Sequence, residues 1–283
     1  MKTILVAIDL QHDAGQMLAR AAQLARQHQA RVIAQHVVDD MHEAEASLQE
    51  DVENHGRGTL ETLVGAAQFD TAPTLKIEFG VPHRCIVQAA HELAADILVL
   101  GPGRPSTMME RMFGSTADRI VRTLSIPVLV VRNEAEQPYR HVAVAMDFSP
   151  LSDAALDAAR KVAPDARITL VHAYEIPLPF EQAMRRTGTR SDDMERFRQA
   201  RMEECRRRLL ELAQKQGRDE SISVLAGAPK TALVELSRSG RVDLIALGSQ
   251  GRNAVAQALL GSVARRLLCE AGCDLLVVGH KPA

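Results

Sequence analysis

The chain repeats itself. "ILVAIDL" at 4–10 returns as "VAVAMDF" at 142–148, each an apolar run closed by an acid, Asp9 and Asp147. "ARVIAQHV" (30–37) returns as "ARITLVHA" (166–173), and "EFGVP" (78–82) as "LAGAP" (225–229). "ADILVLG" (95–101) is matched by "VDLIALG" (242–248), "GSTADRI" (114–120) by "GSVARRL" (261–267), and "PVLVV" (127–131) by "DLLVV" (274–278). From Gly80 onward the two copies align without a gap. Collinear self-similarity of this extent restricts the chain to two copies of one domain. The first is expected over 1–133 and the second over 140–283, with 134–139, in the polar and Pro-containing stretch "NEAEQPY", as the linker. At 283 residues there is room for two domains of ordinary size.

Within each copy, short β-rich apolar runs alternate with helical patterns. The first copy reads as strand 3–9, helix 13–28, strand 31–37, a long helix near 41–67 and strand 73–79. Helix 83–94, strand 96–100, helix 113–124 and strand 127–132 follow. The second copy repeats the order, with a long polar helix at 192–217. Strands without polar alternation are buried on both faces, which implies a parallel sheet covered by helices on two sides. Alternating β and α with right-handed crossovers then predicts two tandem doubly wound α/β domains of five strands each, in the order 3-2-1-4-5.

Composition narrows the partners. A hydrophobic content of 46 %, a charged content of 25 % and a net charge of −2 describe an ordinary soluble domain, with no general attraction to nucleic acid or an anionic membrane. There is no Trp to build a base-stacking platform. No segment reaches the roughly 18 consecutive apolar residues of a membrane helix. "MKTILVAIDL" has an apolar run too short for a signal peptide, and the expected location is the cytoplasm. Cys85, Cys205, Cys269 and Cys273 lack CxxC spacing and neighbouring His, and read as thiols rather than zinc ligands or disulfides.

Ligands of open α/β sheets sit beyond the carboxyl ends of the strands, where the strand order reverses. In the second copy that point falls between its first and fourth strands, which end at Asp147 and Gly248. Gly248 and Gly251 are expected to give the loop backbone angles closed to other residues and a close approach to a ligand. Gly261-Ser262 would stand at the next helix N-terminus, where N–H groups and the dipole favour an anion. The Ser262 hydroxyl can cap that helix or donate to a phosphate oxygen, and Arg252 and Arg265 add positive charge. A loop with a serine N-cap would account for the glycine stretch taken alone. Asp147, arriving from the other side of the switch point, favours phosphate binding.

The pattern G-x2-G-x9-G-[ST], met by Gly248, Gly251, Gly261 and Ser262, resembles the nucleotide signature of universal stress proteins. "MDFS" (146–149) and "VHA" (171–173) resemble the same family, and the likeness covers nearly the whole chain. It implies a tandem member with an adenine nucleotide alpha hydrolase-like fold and an ATP site in its C-terminal half. Asp147 would then face adenine or ribose, Ala173 would contact adenine, and the glycine loop with Ser262 and Val263 would hold ribose and phosphates. Ser149, Gln250 and Arg252 complete the implied set. Mg²⁺ or Mn²⁺ would accompany the phosphates, although no carboxylate pair announces a metal site.

The first copy departs from the pattern. Aligned on Gly101 and Gly114-Ser115, it has Arg104 at the second glycine position, with Pro102 and Pro105 stiffening the loop. Its cleft is expected to be degenerate or to take something else. His36 and His172 share one slot and read as core histidines satisfied by backbone groups. No catalytic triad assembles and no Walker loop is present, so turnover is expected to be absent or very slow. Residues 177–191, with Arg185, Arg186 and Arg190, read as a loop over the cleft mouth.

Three readings follow: a non-catalytic nucleotide-binding stress regulator, a stress scaffold or chaperone-like protein without nucleotide, and a slow ATPase or autophosphorylating protein. In the first, the halves form an internal pseudo-dimer through "PVLVV" and "DLLVV", and chains pair further as a homodimer.

Overall fold

A computed structural model of the chain describes residues 1–10, 14–39, 46–103, 116–135, 137–176, 182–184, 186, 191–215, 220–251 and 260–279. The first repeat runs β1 (Thr3–Ile8), α1 (Ala14–His28), β2 (Arg31–Val38), α2 (Ala46–Ala66), β3 (Thr74–Phe79), α3 (Pro82–Glu92), β4 (Ile97–Leu100), α4 (Thr116–Thr123) and β5 (Val128–Val130). The second runs β6 (His141–Ala145), α5 (Pro150–Val162), β7 (Arg167–Tyr174), α6 (Ser191–Lys215), β8 (Ser221–Ala226), α7 (Pro229–Arg238), β9 (Leu244–Gly248), α8 (Ser262–Glu270) and β10 (Asp274–Val278).

The chemistry of each boundary is visible. Pro82, Pro150 and Pro229 open α3, α5 and α7, where the missing N–H is no loss and the fixed φ suits a first turn. Every residue of β1 is buried, because helices cover both faces of a central strand. The outer strands β3 and β8 are only partly buried. The expected helices over 41–67 and 113–124 are described at 46–66 and 116–123, and the remainder of each start lies outside the described residues.

All strands belong to one ten-stranded sheet, ordered β3-β2-β1-β4-β5-β10-β9-β6-β7-β8. Each repeat is therefore 3-2-1-4-5, with parallel pairing inside it. The halves join by an antiparallel pair of their last strands, as "PVLVV" and "DLLVV" suggested. Leu129 lies opposite Leu276, its own counterpart in the other repeat, and Val130 and Val128 pair with Leu275 and Val277. That self-matching register is the mark of a pseudo-two-fold axis.

Helices α1, α2, α5 and α6 cover one face, burying Met17, Leu18, Leu60, Leu156 and Leu209 in a core that runs through both repeats. Helices α3, α4, α7 and α8 cover the other with Ile86, Ile120, Leu233 and Leu267, again continuous across the junction.

The junction also holds a polar cluster. Asp274, fully buried, accepts from the backbone N–H groups of Arg132 (2.8 Å) and Asn133 (3.1 Å) and from the Tyr139 hydroxyl (2.6 Å). The Arg20 guanidinium approaches it to 3.4 Å and stacks 3.9 Å over the Tyr139 ring. It also donates to the Gln137 carbonyl at 3.0 Å. First repeat, linker and second repeat thus meet on one carboxylate. Around the axis the symmetry breaks: the Arg132 side chain donates to the carbonyl of Leu268 at the end of α8, whereas its counterpart Gly279 lies against the carbonyl of Leu124 after α4.

Candidate functional site

In the second repeat β6 pairs with β7 on one side and β9 on the other. The chain leaves β6 for α5 on one face of the sheet and leaves β9 for α8 on the opposite face. Beyond the carboxyl ends of these strands lies a cleft of about 200 Å³. Met146, Val171, Leu233 and Leu247 contribute apolar wall, and Asp147, Gln250 and Ser262 contribute polar groups. A largely apolar concavity with a few placed polar groups is the usual form of a small-molecule site. Of the residues expected from sequence, Asp147, Ala173, Gly248, Gln250, Gly251, Gly261, Ser262 and Val263 line it. Arg252 lies outside the described residues, as do Arg104, Pro105, Gly114 and Ser115 in the first repeat and Arg185 and Arg190 of the segment 177–191, in which 182–184 and 186 are helical rather than loop.

Ser149 stands behind Asp147 rather than in the cleft wall. Its N–H and hydroxyl donate to Asp147 Oδ1 at 3.0 and 2.5 Å, and its own oxygen caps α5 by accepting from the Ser152 N–H at 3.3 Å. Between them Phe148 takes φ = +63°, a left-handed conformation that costs a side-chain-bearing residue roughly 1–2 kcal/mol. The turn it makes brings Ser149 back onto the carboxylate. Asp153, on the first turn of α5, has its carboxyl pushed up by burial and then by the charges of Asp157 and Asp147.

The glycines act differently from expectation. Neither Gly248 nor Gly251 is left-handed; what each provides is space. A Cβ on Gly248 would stand 2.7 Å from the Cβ of Leu151 on α5. One on Gly251 would stand 3.3 Å from Asp147 Oδ2, and one on Gly261 3.1 Å from the Ser249 carbonyl. Bare backbone lets the loop fold onto its own surroundings, with Ser249 N–H donating to the Val278 carbonyl at 2.8 Å and Gly261 N–H to that of Ser249 at 2.7 Å.

Gly261, not Ser262, is the N-cap of α8, and no side chain caps it. Ser262 is exposed at the first helical position. The helical ladder opens with Arg265 N–H donating to the Gly261 carbonyl, so the N–H groups of Ser262, Val263 and Ala264 precede it and crown the cleft. With the positive end of the dipole, that is an anion-favouring corner opposite the Asp147 wall. Among the described residues no three His, Cys, Asp or Glu side chains converge to hold a metal ion.

His172 Nδ1 lies 2.6 Å from the Met146 carbonyl, and His36 repeats the contact with Ile8 at 2.9 Å, so both have the expected backbone partner, although they are half-buried rather than in the core. His172 also lines the cleft, a role the sequence reading did not give it. Pro229 and Leu233 were missed too; the recurrent "GAP" at 227–229 was their only signal. In the first repeat the loop after β4 turns through Gly103 at φ = +64°, at the position of Gln250, and Leu10 lacks the left-handed angle of Phe148. The two repeats differ here in backbone as well as in sequence.

Known proteins agree with this architecture. The model of the universal stress protein family matches the chain twice, over residues 1–132 and 138–279. Universal stress protein A homolog 2 of Coxiella burnetii is 31 % identical over 148 residues, covering 50 % of this chain and 97 % of that protein. A universal stress protein of Thermus aquaticus is 32 % identical over 132 residues, covering 44 % and 86 %. The crystal structure of a universal stress protein from Archaeoglobus fulgidus superposes with a TM-score of 0.71 at 16 % identity, over 98 % of this chain and 96 % of that one, and shares its adenine nucleotide alpha hydrolase-like fold.

Proposed function

The chain belongs to the universal stress protein family, and on that premise we propose that the cleft of its second repeat binds an adenine nucleotide, ATP, as a non-catalytic stress-response switch. The observation that carries this is the convergence, on one cleft, of the Asp147 wall, the loop 248–251 and the uncapped N-terminus of α8. The apolar wall by Ala173 and Val171 suits a base, Asp147 suits ribose hydroxyls, and the N–H groups of Ser262, Val263 and Ala264 suit phosphate oxygens. Mg²⁺ or Mn²⁺ would be held by the phosphates. The first cleft, with its different loop, is proposed to take no nucleotide. The reading retains the unit boundaries drawn from the repeat, a cytoplasmic location and a dimer of chains; no helix among the described residues is long and apolar enough to cross a membrane.

Calorimetric titration of ATP with Mg²⁺ into nucleotide-stripped protein tests it. One equivalent per chain is expected, and Gly261→Val, whose side chain would press on the Ser249 carbonyl, is expected to abolish binding. Two equivalents of similar affinity would refute the degenerate first cleft, and no binding would remove the nucleotide.

A further inference from the structure

We propose that Arg208, Phe148 and His172 form a positioning column through which helix α6 holds Asp147 in the cleft, an inference that rests on the nucleotide reading above. The Arg208 guanidinium carbon lies 3.9 Å from the centroid of the Phe148 ring. The same ring lies beside His172, with centroids 5.0 Å apart and planes inclined by 41°, and packs against the core as well. His172 is anchored in turn at the Met146 carbonyl, 2.6 Å away. Cation, ring and imidazole thus run from α6 to the end of β6.

Phe148 is the residue whose left-handed angle returns Ser149 to the Asp147 carboxylate. Glycine or asparagine would take that angle with less strain. A phenylalanine there needs its ring held from outside, and the column does so. Strain at a cleft wall, compensated by a contact from a distant helix, is an arrangement that sets a functional group rather than one that only fills space.

Among its described residues the first repeat lacks the device. There Leu10 has no left-handed angle, and α2 meets the corner through Gly56, whose Cβ position is 3.9 Å from Leu10 Cδ1 and from His36 Cδ2. The histidine is common to both repeats, but among the described residues the aromatic ring with a cation over it occurs at this corner only in the repeat with the complete glycine pattern.

ATP titrations of the full chain separate this role from simple packing. Arg208→Met is expected to weaken binding roughly three- to tenfold, and Arg208→Lys, which can still place a cation on the ring, to recover most of the loss. In an Asp147→Ala background, adding Arg208→Met is expected to change affinity less than about twofold, because its effect travels through the missing carboxylate. A loss that persists undiminished in that background, or Arg208→Met binding like the wild type, overturns the column and leaves the nucleotide site standing. If Asp147→Ala binds too weakly to titrate, the crystal structure of Arg208→Met decides: a Ser149 hydroxyl still seated on Asp147 overturns the proposal, and a released one supports it. A wild type that takes no ATP removes the nucleotide reading and the column with it.

Discussion

Asp274→Ala tests how the two repeats are locked. The carboxylate is fully buried, accepts from two backbone N–H groups and the Tyr139 hydroxyl, and has the Arg20 guanidinium 3.4 Å away as its ion-pair partner. Arg20 is itself only 4 % exposed, so deleting its partner strands a cation away from water. Breaking a buried pair from one side costs about 3–5 kcal/mol. The other donors share the same oxygens, and their separate losses do not simply add. We expect a loss near 4 kcal/mol in urea unfolding followed by far-UV ellipticity, a large part of the roughly 5–15 kcal/mol that stabilises an ordinary domain. The companion is Asp274→Ala with Arg20→Met, which removes the stranded charge; it should be more stable than Asp274→Ala alone. A single variant that loses less than about 1 kcal/mol, or a double variant that is the sum of both losses, would refute the account.

The Tyr139 phenol is pushed well above its usual range by burial and by the Asp274 charge, so above about pH 10 the unfolded chain releases this proton while the folded one keeps it. Stability should fall with rising pH there by up to about 1.4 kcal/mol per unit, and Tyr139→Phe should remove that part of the slope in alkaline urea melts. Gly248→Ala forces a Cβ to within 2.7 Å of Leu151 Cβ and should lower stability by about 1–3 kcal/mol in thermal denaturation, an outcome that an unchanged melting curve would contradict. Burial above all, then the Asp274 charge, pushes the Cys273 thiol up to about 12, whereas Cys269 is exposed. Iodoacetamide at pH 8 with mass-spectrometric mapping should therefore modify Cys269 in the native protein and Cys273 only after unfolding.

The architecture was legible because it is written locally. Apolar runs such as "ILVAI" and "LIALG" mark central strands whatever surrounds them, and their recurrence in order carries the topology. The cleft was legible in outline for a similar reason, since strand ends on both sides of the switch point must meet. What escaped depends on pairs of residues with no sequence relation. Gly248 is needed because Leu151 of α5 comes down upon it, and nothing in "LGSQG" records that. The left-handed turn at Phe148 is stabilised by a ring and a cation drawn from β7 and α6. Arg20, Tyr139 and Asp274 come from a helix, the linker and the last strand, and only the closed junction makes them neighbours. Ser262 looked like a cap because serine commonly is one, yet the cap position is one residue earlier, at Gly261, and Ser262 is the first helical residue.

The unequal pair Arg132 and Gly279 has a consequence for how such a chain can diverge. Two identical subunits meeting across a true dyad must carry the same residue at both equivalent places, so every substitution is made twice and must suit both sides. Joining the copies in one polypeptide lifts that constraint. One side has taken a long cation that reaches the carbonyl of Leu268, and the other has given up its side chain so that backbone can lie against the carbonyl of Leu124. Each half has become specific for the other: separated, they would no longer be interchangeable, and a self-paired first half would have to accommodate two arginines where this junction accepts one.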